Sequence, residues 1–276
     1  MKFFFSAKSI VLTLCLCAMS AVAWAGVNPK PFVVPELKEW HGAEGQMTLS
    51  GKYVVKGGKA ALEVGEMFAA DYGNLMGTQL TLKNGKPSAG DIVLVLKADK
   101  ALGQEGYRIS IGDVTTVSAA TVKGLKWGTR TVLQMAEQNK SNGGALPKGN
   151  IVDTPEYGLR GFMMDCGRKY IPMDYLRSLV KTMAYYKMNT LQIHLNDNGF
   201  RQFFDNDWDK TQAAFRLECD TYPGLTARDG SYTKKEFIDL QKLAEQYGVD
   251  IIPEIDVPAH TLAFTHYKPE IGSKEY

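Results

Sequence analysis

Three strand-like runs in the second half of the chain each end in an acidic residue, and an amphipathic helix pattern separates each run from the next. The runs are 159–165, 189–197 and 249–256. Strand–helix alternation predicts a parallel sheet with helical crossovers. In (β/α) barrels the reactive groups gather where strands end, on the C-terminal face. Asp165, Asp197 and Asp256 are therefore expected to converge on one pocket. A closed barrel takes about 250 residues. The run of βα units stops at Tyr276, so it is expected to form the first part of an incomplete (β/α)8 TIM barrel.

The local signals agree with that reading. Pro172 and Asp174 suit a first helical turn, and Leu176, Leu179, Val180 and Met183 repeat at helical spacing. Thr233-Lys-Lys-Glu236 is a capping box, followed by a stripe of Phe237, Leu240, Leu243, Ala244 and Tyr247 and a stop at Gly248. In the second strand Leu191, Ile193 and Leu195 point one way, and Gln192 and His194 the other. A long polar and aromatic loop is expected from Asn198 to Asp229.

Upstream the texture changes. Pro29, Pro31 and Pro35 predict an extended entry segment. Strands are expected at 91–96, at 107–111 and from Val114, and helices at 61–76 and 124–138, with Gly128 weakening the second. Strands mixed with a few helices make an α+β domain. Asp153-Thr-Pro-Glu156 marks its end, so the expected division is an accessory α+β domain at 26–154 and barrel sequence at 155–276.

Residues 1–25 read as a signal peptide. Lys2 and Lys8 form a charged start, 10–19 is a short apolar run, and Ala23-Trp24-Ala25 offers small residues for cleavage. The run is too short to span a bilayer, so export without a membrane span is expected, to the periplasm or exterior of a bacterium. Cleavage removes two lysines from 32 basic residues and none of the 30 acidic ones, leaving no formal net charge. Nothing there favours nucleic acid or an anionic membrane; a neutral partner such as a carbohydrate suits the balance. Cys166 and Cys219 remain, too few for a disulfide framework; free thiols or one bridge are both compatible with the sequence.

Asp256-Val-Pro-Ala-His260 follows the third strand. An acid and a histidine there can orient a catalytic group, bind a sugar hydroxyl or hold a metal. Metal binding would need His194 and His260 with Asp197 or Asp256, a spacing that matches no dedicated metal motif, so no metal and no cofactor are expected. Asp165 and Asp197 each admit a plainer role as strand-end acids bonding the loop backbone. Arg160, in an otherwise apolar strand, is expected to point inward and pair with acids or hydroxyls. Phe200, Phe203, Phe204 and Trp208 suit a cover for a sugar face or a satellite hydrophobic cluster.

Taken together, Arg160-Gly-Phe-Met-Met-Asp-Cys-Gly-Arg168, Tyr185-Tyr-Lys-Met-Asn189, His194-Leu-Asn-Asp197, Tyr222-Pro-Gly-Leu-Thr226 and Pro253-Glu-Ile-Asp-Val-Pro-Ala-His260 resemble the β-N-acetylhexosaminidases of glycoside hydrolase family 20. Glu105-Gly-Tyr-Arg-Ile109 and 124–134 resemble that family's accessory domain. The resemblance implies exo-hydrolysis of terminal non-reducing β-linked N-acetylhexosamine from a glycan, with the substrate's own acetamido oxygen as nucleophile. It implies that Arg160 grips the terminal sugar, that Asp197 and His260 support the catalytic acid, and that Asp165, Glu254 and Asp256 frame the pocket. It also implies an Asp-Glu catalytic pair on a fourth strand, beyond Tyr276, so the chain alone is expected to be inactive. Glu254 and Asp256 are not expected to take those roles. Asp197-Asn198, Pro258-Ala-His260 and a longer loop at 198–215 depart from the family pattern and bear on substrate preference. The alternatives are a non-catalytic carbohydrate-binding protein on the same scaffold and a two-carboxylate glycosidase of another family.

Overall fold

A computed structural model of the chain describes residues 26–207, 210 and 213–272. The leader at 1–25 and Trp208 lie outside these residues.

The first domain is a seven-stranded mixed sheet with two helices. Its elements are β1 (Glu39–Met47), β2 (Lys52–Lys56), α1 (Gly58–Met76), β3 (Thr81–Leu82), β4 (Ile92–Leu96), β5 (Tyr107–Ile111), β6 (Thr115–Ala119), α2 (Val122–Gln138) and β7 (Leu146–Asp153). The strand order is β1-β7-β5-β6-β4-β2-β3. Strands β4, β2 and β3 extend β6 in parallel, while β5, β7 and β1 pair antiparallel. Thr121 caps α2, its Oγ1 accepting from Gly124 N over 3.0 Å. Gly128 does not interrupt α2. A Cβ there would lie 2.5 Å from Val117 Cγ1, so its bareness lets the helix press onto β6.

The second part alternates strand and helix: β8 (Gly161–Asp165), α3 (Met173–Tyr185), β9 (Thr190–His194), β10 (Asn196–Asn198), β11 (Ala213–Phe215), α4 (Lys234–Tyr247), β12 (Asp250–Glu254) and α5 (Leu262–Tyr267). Strands β8, β9 and β12 form a parallel sheet with β9 in the middle. The Thr233–Glu236 capping box starts α4, and Gly248 ends it in the left-handed region. Leu191, Ile193 and Leu195 are fully buried, and one hydrophobic core runs through both parts.

Strand register corrects one expectation. Asp165 pairs with His194, and His194 with Glu254, so these three residues end the strands in a single row. Asp197 is not on β9. The chain turns at Leu195, and Asp197 sits on β10, which pairs with β11 inside the segment read as a loop. Asp256 lies two residues past β12.

Candidate active site

Asp197 is the hub of the strand-end cluster. Its side chain is 1% exposed and all its acceptor positions are used. Oδ1 accepts from His260 Nδ1 at 2.8 Å and from Asn198 N at 2.6 Å. Oδ2 lies 2.6 Å from His194 Nε2 and 3.1 Å from Arg168 Nη2. Burial alone would raise its pKa, but the hydrogen bonds from His260, Asn198 and His194 and the charge of Arg168 hold it below the usual carboxylate range.

His194 has a carboxylate on each ring nitrogen, with Nδ1 at 2.8 Å from Glu254 Oε1. An ionised carboxylate only accepts, so both nitrogens donate and the ring is an imidazolium. Burial pushes the His194 pKa down; its hydrogen bonds to Asp197 and Glu254 outweigh that and raise it. Glu254 also accepts from Gln192 Nε2 at 2.5 Å. Burial opposes its ionisation, but Gln192 and His194 keep it below the ordinary glutamate value. A glutamate held ionised this way is unsuited to donating a proton.

His260 sits at the mouth with its side chain 35% exposed and a left-handed φ of 56°. Buried Asn196 fixes that loop. Its Nδ2 donates to Asp256 O at 3.0 Å and His260 O at 2.8 Å, and its Oδ1 accepts from Asp256 N. His260 Nε2 is 3.7 Å from Asp256 Oδ2, beyond hydrogen-bond reach. His194, Asp197 and His260 have the donor types of a metal site, as do His194, Glu254 and Asp256. In both sets, however, the ligand lone pairs of His194 are spent on its two carboxylates.

Arg160 is not at this site. It precedes β8, at the opposite end of the strands from Asp165. Its Nη2 pairs with Glu105 of the first domain, Nε donates to Lys187 O at 2.7 Å, Nη1 to Tyr157 O at 2.7 Å, and the guanidinium lies 5.9 Å from the Trp127 ring centre. Its apolar surroundings and acidic partner belong to the domain interface.

The arginine at the site is Arg168, three residues past the end of β8. Its Nη1 pairs with Asp165 at 2.8 Å and Nη2 with Asp197, and its guanidinium lies 5.1 Å from the Phe200 ring centre. Its Nε is buried without a hydrogen-bond partner. Strand-end logic already points to this position, since Arg168 follows the strand and Arg160 precedes it.

A second arginine holds the loop that carries Arg168. Arg216 is fully buried, donating Nε to Cys166 O at 2.7 Å, Nη2 to Gly167 O at 3.0 Å, and Nη1 to Asp229 and Gly230 O. No periodicity marks it in the sequence. Cys166 and Cys219 are both free. Phe200 and Phe203 are exposed beside Arg168, whereas the satellite cluster is built from Phe215, Leu225 and Ala263. That favours the rim position for the two phenylalanines.

The family model for the catalytic domain of glycosyl hydrolase family 20 matches residues 157–276, and the model for domain 2 of the same family matches 30–154. A beta-hexosaminidase of Akkermansia muciniphila is 34% identical over 61% of this chain and 34% of its own length. A beta-N-acetylhexosaminidase of Cellulomonas fimi is 27% identical over 87% of this chain and 47% of its own. Among solved structures, a mutant Streptomyces plicatus beta-hexosaminidase in complex with product (GlcNAc) superposes with a TM-score of 0.76 at 26% identity. That match covers 90% of this chain and 50% of the other. The chain thus spans about half or less of the length of these relatives.

Proposed function

From the premise that this chain belongs to glycosyl hydrolase family 20, we propose that the intact protein hydrolyses terminal non-reducing β-linked N-acetylhexosamine from glycans. The observation that carries the proposal is the chain of contacts from His194 through Asp197 to His260, which ends on a partly exposed imidazole past the strand ends. Such a relay supports an acid–base group placed next to it. In this reading the substrate's 2-acetamido oxygen attacks the anomeric carbon, so the protein needs no nucleophile of its own. Neither Asp197 nor Glu254 suits the role of proton donor, since both are held as anions. Arg168, whose side chain is 35% exposed, takes the sugar-gripping role first read onto Arg160. Phe200 and Phe203 offer an apolar platform at the rim.

The leader signals at Lys2, Lys8, 10–19 and Ala23-Trp24-Ala25 support export, to the periplasm or exterior of a bacterium. Among the described residues no helix is long and apolar enough to cross a membrane.

The test compares a nitrophenyl β-N-acetylglucosaminide with the matching β-glucoside on the purified intact protein. Substrate assistance requires the acetamido group, so only the first should turn over. Comparable turnover of the glucoside would point to a two-carboxylate glycosidase, and tight binding of N-acetylglucosamine without any turnover to a binding protein.

A further inference from the structure

Between the first domain and the base of the barrel strands lies a cleft of about 510 Å³. It is at the N-terminal end of β9, whereas the candidate active site is at the C-terminal end. Lys187 lines it at the turn before β9. The lysine is only 6% exposed, and its Nζ makes no hydrogen bond. Asp153 Oδ2, the nearest acid, is 3.6 Å away and already accepts from Tyr107 Oη. Burial drives the Lys187 pKa down to about 8 against the opposing pull of Asp153. The ion pair with Asp153 and the Tyr107 ring, 5.4 Å from Nζ, offset part of the burial, but no acceptor lies within hydrogen-bond distance of this buried donor.

The rest of the lining says what that partner is. The other cations are spoken for: Arg160 pairs with Glu105, Lys30 with Glu36 and Lys38 with Glu156. An added anion would face Asp153 and Glu105 as well as Lys187 and would gain no net charge complementarity. A hydroxyl both donates and accepts, so it can satisfy Lys187 Nζ and return a proton to a neighbouring carboxylate. Tyr157 lies at the cleft and is 73% exposed, an aromatic face with no cover of its own. Balanced acids and bases, a buried donor with no acceptor within hydrogen-bond distance and an exposed aromatic together suit a polyhydroxylated ring.

We propose that this interdomain cleft is a second saccharide-binding site, for one or two neutral sugar units, separate from the strand-end site. Lys187 supplies the buried hydrogen bond and Tyr157 the stacking face.

The test titrates the intact protein with N-acetylglucosamine, chitobiose and glucose by calorimetry, and repeats the titration on Lys187→Met and Tyr157→Ala. Arg168→Ala, which removes the proposed sugar grip, serves as the strand-end control. The expected result is a binding event that survives Arg168→Ala. It should weaken about 10-fold or more in Lys187→Met, the loss of one charge-assisted hydrogen bond. It should weaken in Tyr157→Ala too, with kcat on an aryl substrate unchanged. Tyr157 stands outside the buried core of the described residues, and a thermal melt of each variant separates lost binding from lost folding. Binding that disappears with Arg168→Ala, binding indifferent to Tyr157→Ala, or uptake of acetate or succinate in place of sugars would each overturn the proposal. A cleft that holds only water at millimolar sugar would do the same.

Discussion

His194 and Asp197 are three residues apart in sequence and 2.6 Å apart in space, Nε2 to Oδ2, because the chain turns out of β9 at Leu195. The contact places an imidazolium against a buried carboxylate at the centre of the candidate active site. It has consequences for stability that can be separated by pH.

His194 has a folded-state pKa above its ordinary value of 6.5. Its contribution is therefore fully present below that ordinary value, and it is lost as pH rises through the raised folded value. Asp197 is the opposite case: its lowered pKa contributes stability above the ordinary value of 3.8, lost as pH falls through the folded value. The two together predict greatest stability of the cluster in mildly acid solution. His194→Gln should cost about 1–3 kcal/mol near pH 6, and less at pH 9. Urea unfolding at the two pH values checks this; an equal cost at both would show that the ring is neutral in the fold.

Arg216→Met should cost about 3–5 kcal/mol, because Asp229 and the carbonyls of Cys166, Gly167 and Gly230 lose a fully buried partner. Arg216 holds the loop of Arg168, so activity should fall with stability even though Arg216 touches no substrate. Denaturant unfolding reads the first effect. A loss under 1 kcal/mol would mean that the loop stands without it.

The two arginines of the Arg160–Arg168 motif should separate cleanly. Removing a charge-assisted hydrogen bond costs about 1.5–3 kcal/mol, roughly 10- to 150-fold in kcat/KM. In the intact protein Arg168→Lys should show that loss with every aglycone, since lysine lacks the planar fork that spans Asp165, Asp197 and a ligand. Arg160→Met should lower the melting temperature and leave kcat/KM within a few-fold. The reverse pattern would restore the sugar grip to Arg160.

What the sequence revealed depended on how local each signal was. The Thr233–Glu236 capping box, the Gly248 stop and the alternation of Leu191 and Ile193 with Gln192 and His194 are written in neighbouring residues, and the fold contains all of them. Strands β1 and β7 were not legible. Their pairing is long-range, β7 carries Pro147 and Gly149, and β1 shifts register between Gly42 and Gln46, so neither shows a period of two. Within the site, Asp165, Asp197, Glu254, Asp256 and His260 could be found by their place at strand ends. Arg160 was read toward the pocket because a charge beside an apolar strand looks the same whether it serves a pocket or a domain interface. Its partner Glu105 is 55 residues away and carries no local mark. Asn196 and Arg216 act through backbone carbonyls, which leave no pattern in a sequence.

The role of His260 can be resolved to a single ring nitrogen. Nδ1 donates to Asp197 Oδ1 at 2.8 Å, and Nε2 lies 3.7 Å from Asp256 Oδ2, beyond hydrogen-bond reach. His260→Ala removes both ends and should lower kcat about 10²-fold while changing KM little, as expected for loss of an acid–base interaction. His260→Asn is the sharper variant. Asparagine tolerates the left-handed φ of 56° at this position, and its side-chain amide can replace the Nδ1 donor to Asp197. It has nothing in place of Nε2. If the relay works through Nε2, the asparagine variant should be as slow as the alanine one, and both should shift the acid or basic limb of the pH–rate profile. The alternative is that His260 only anchors Asp197, in which case asparagine recovers most of kcat and the profile stays where it was. Pairing each variant with Asp197→Asn completes the argument, because residues acting in one chain give losses that do not add. Full additivity of His260→Ala with Asp197→Asn would separate the two residues and remove the relay from the proposed mechanism.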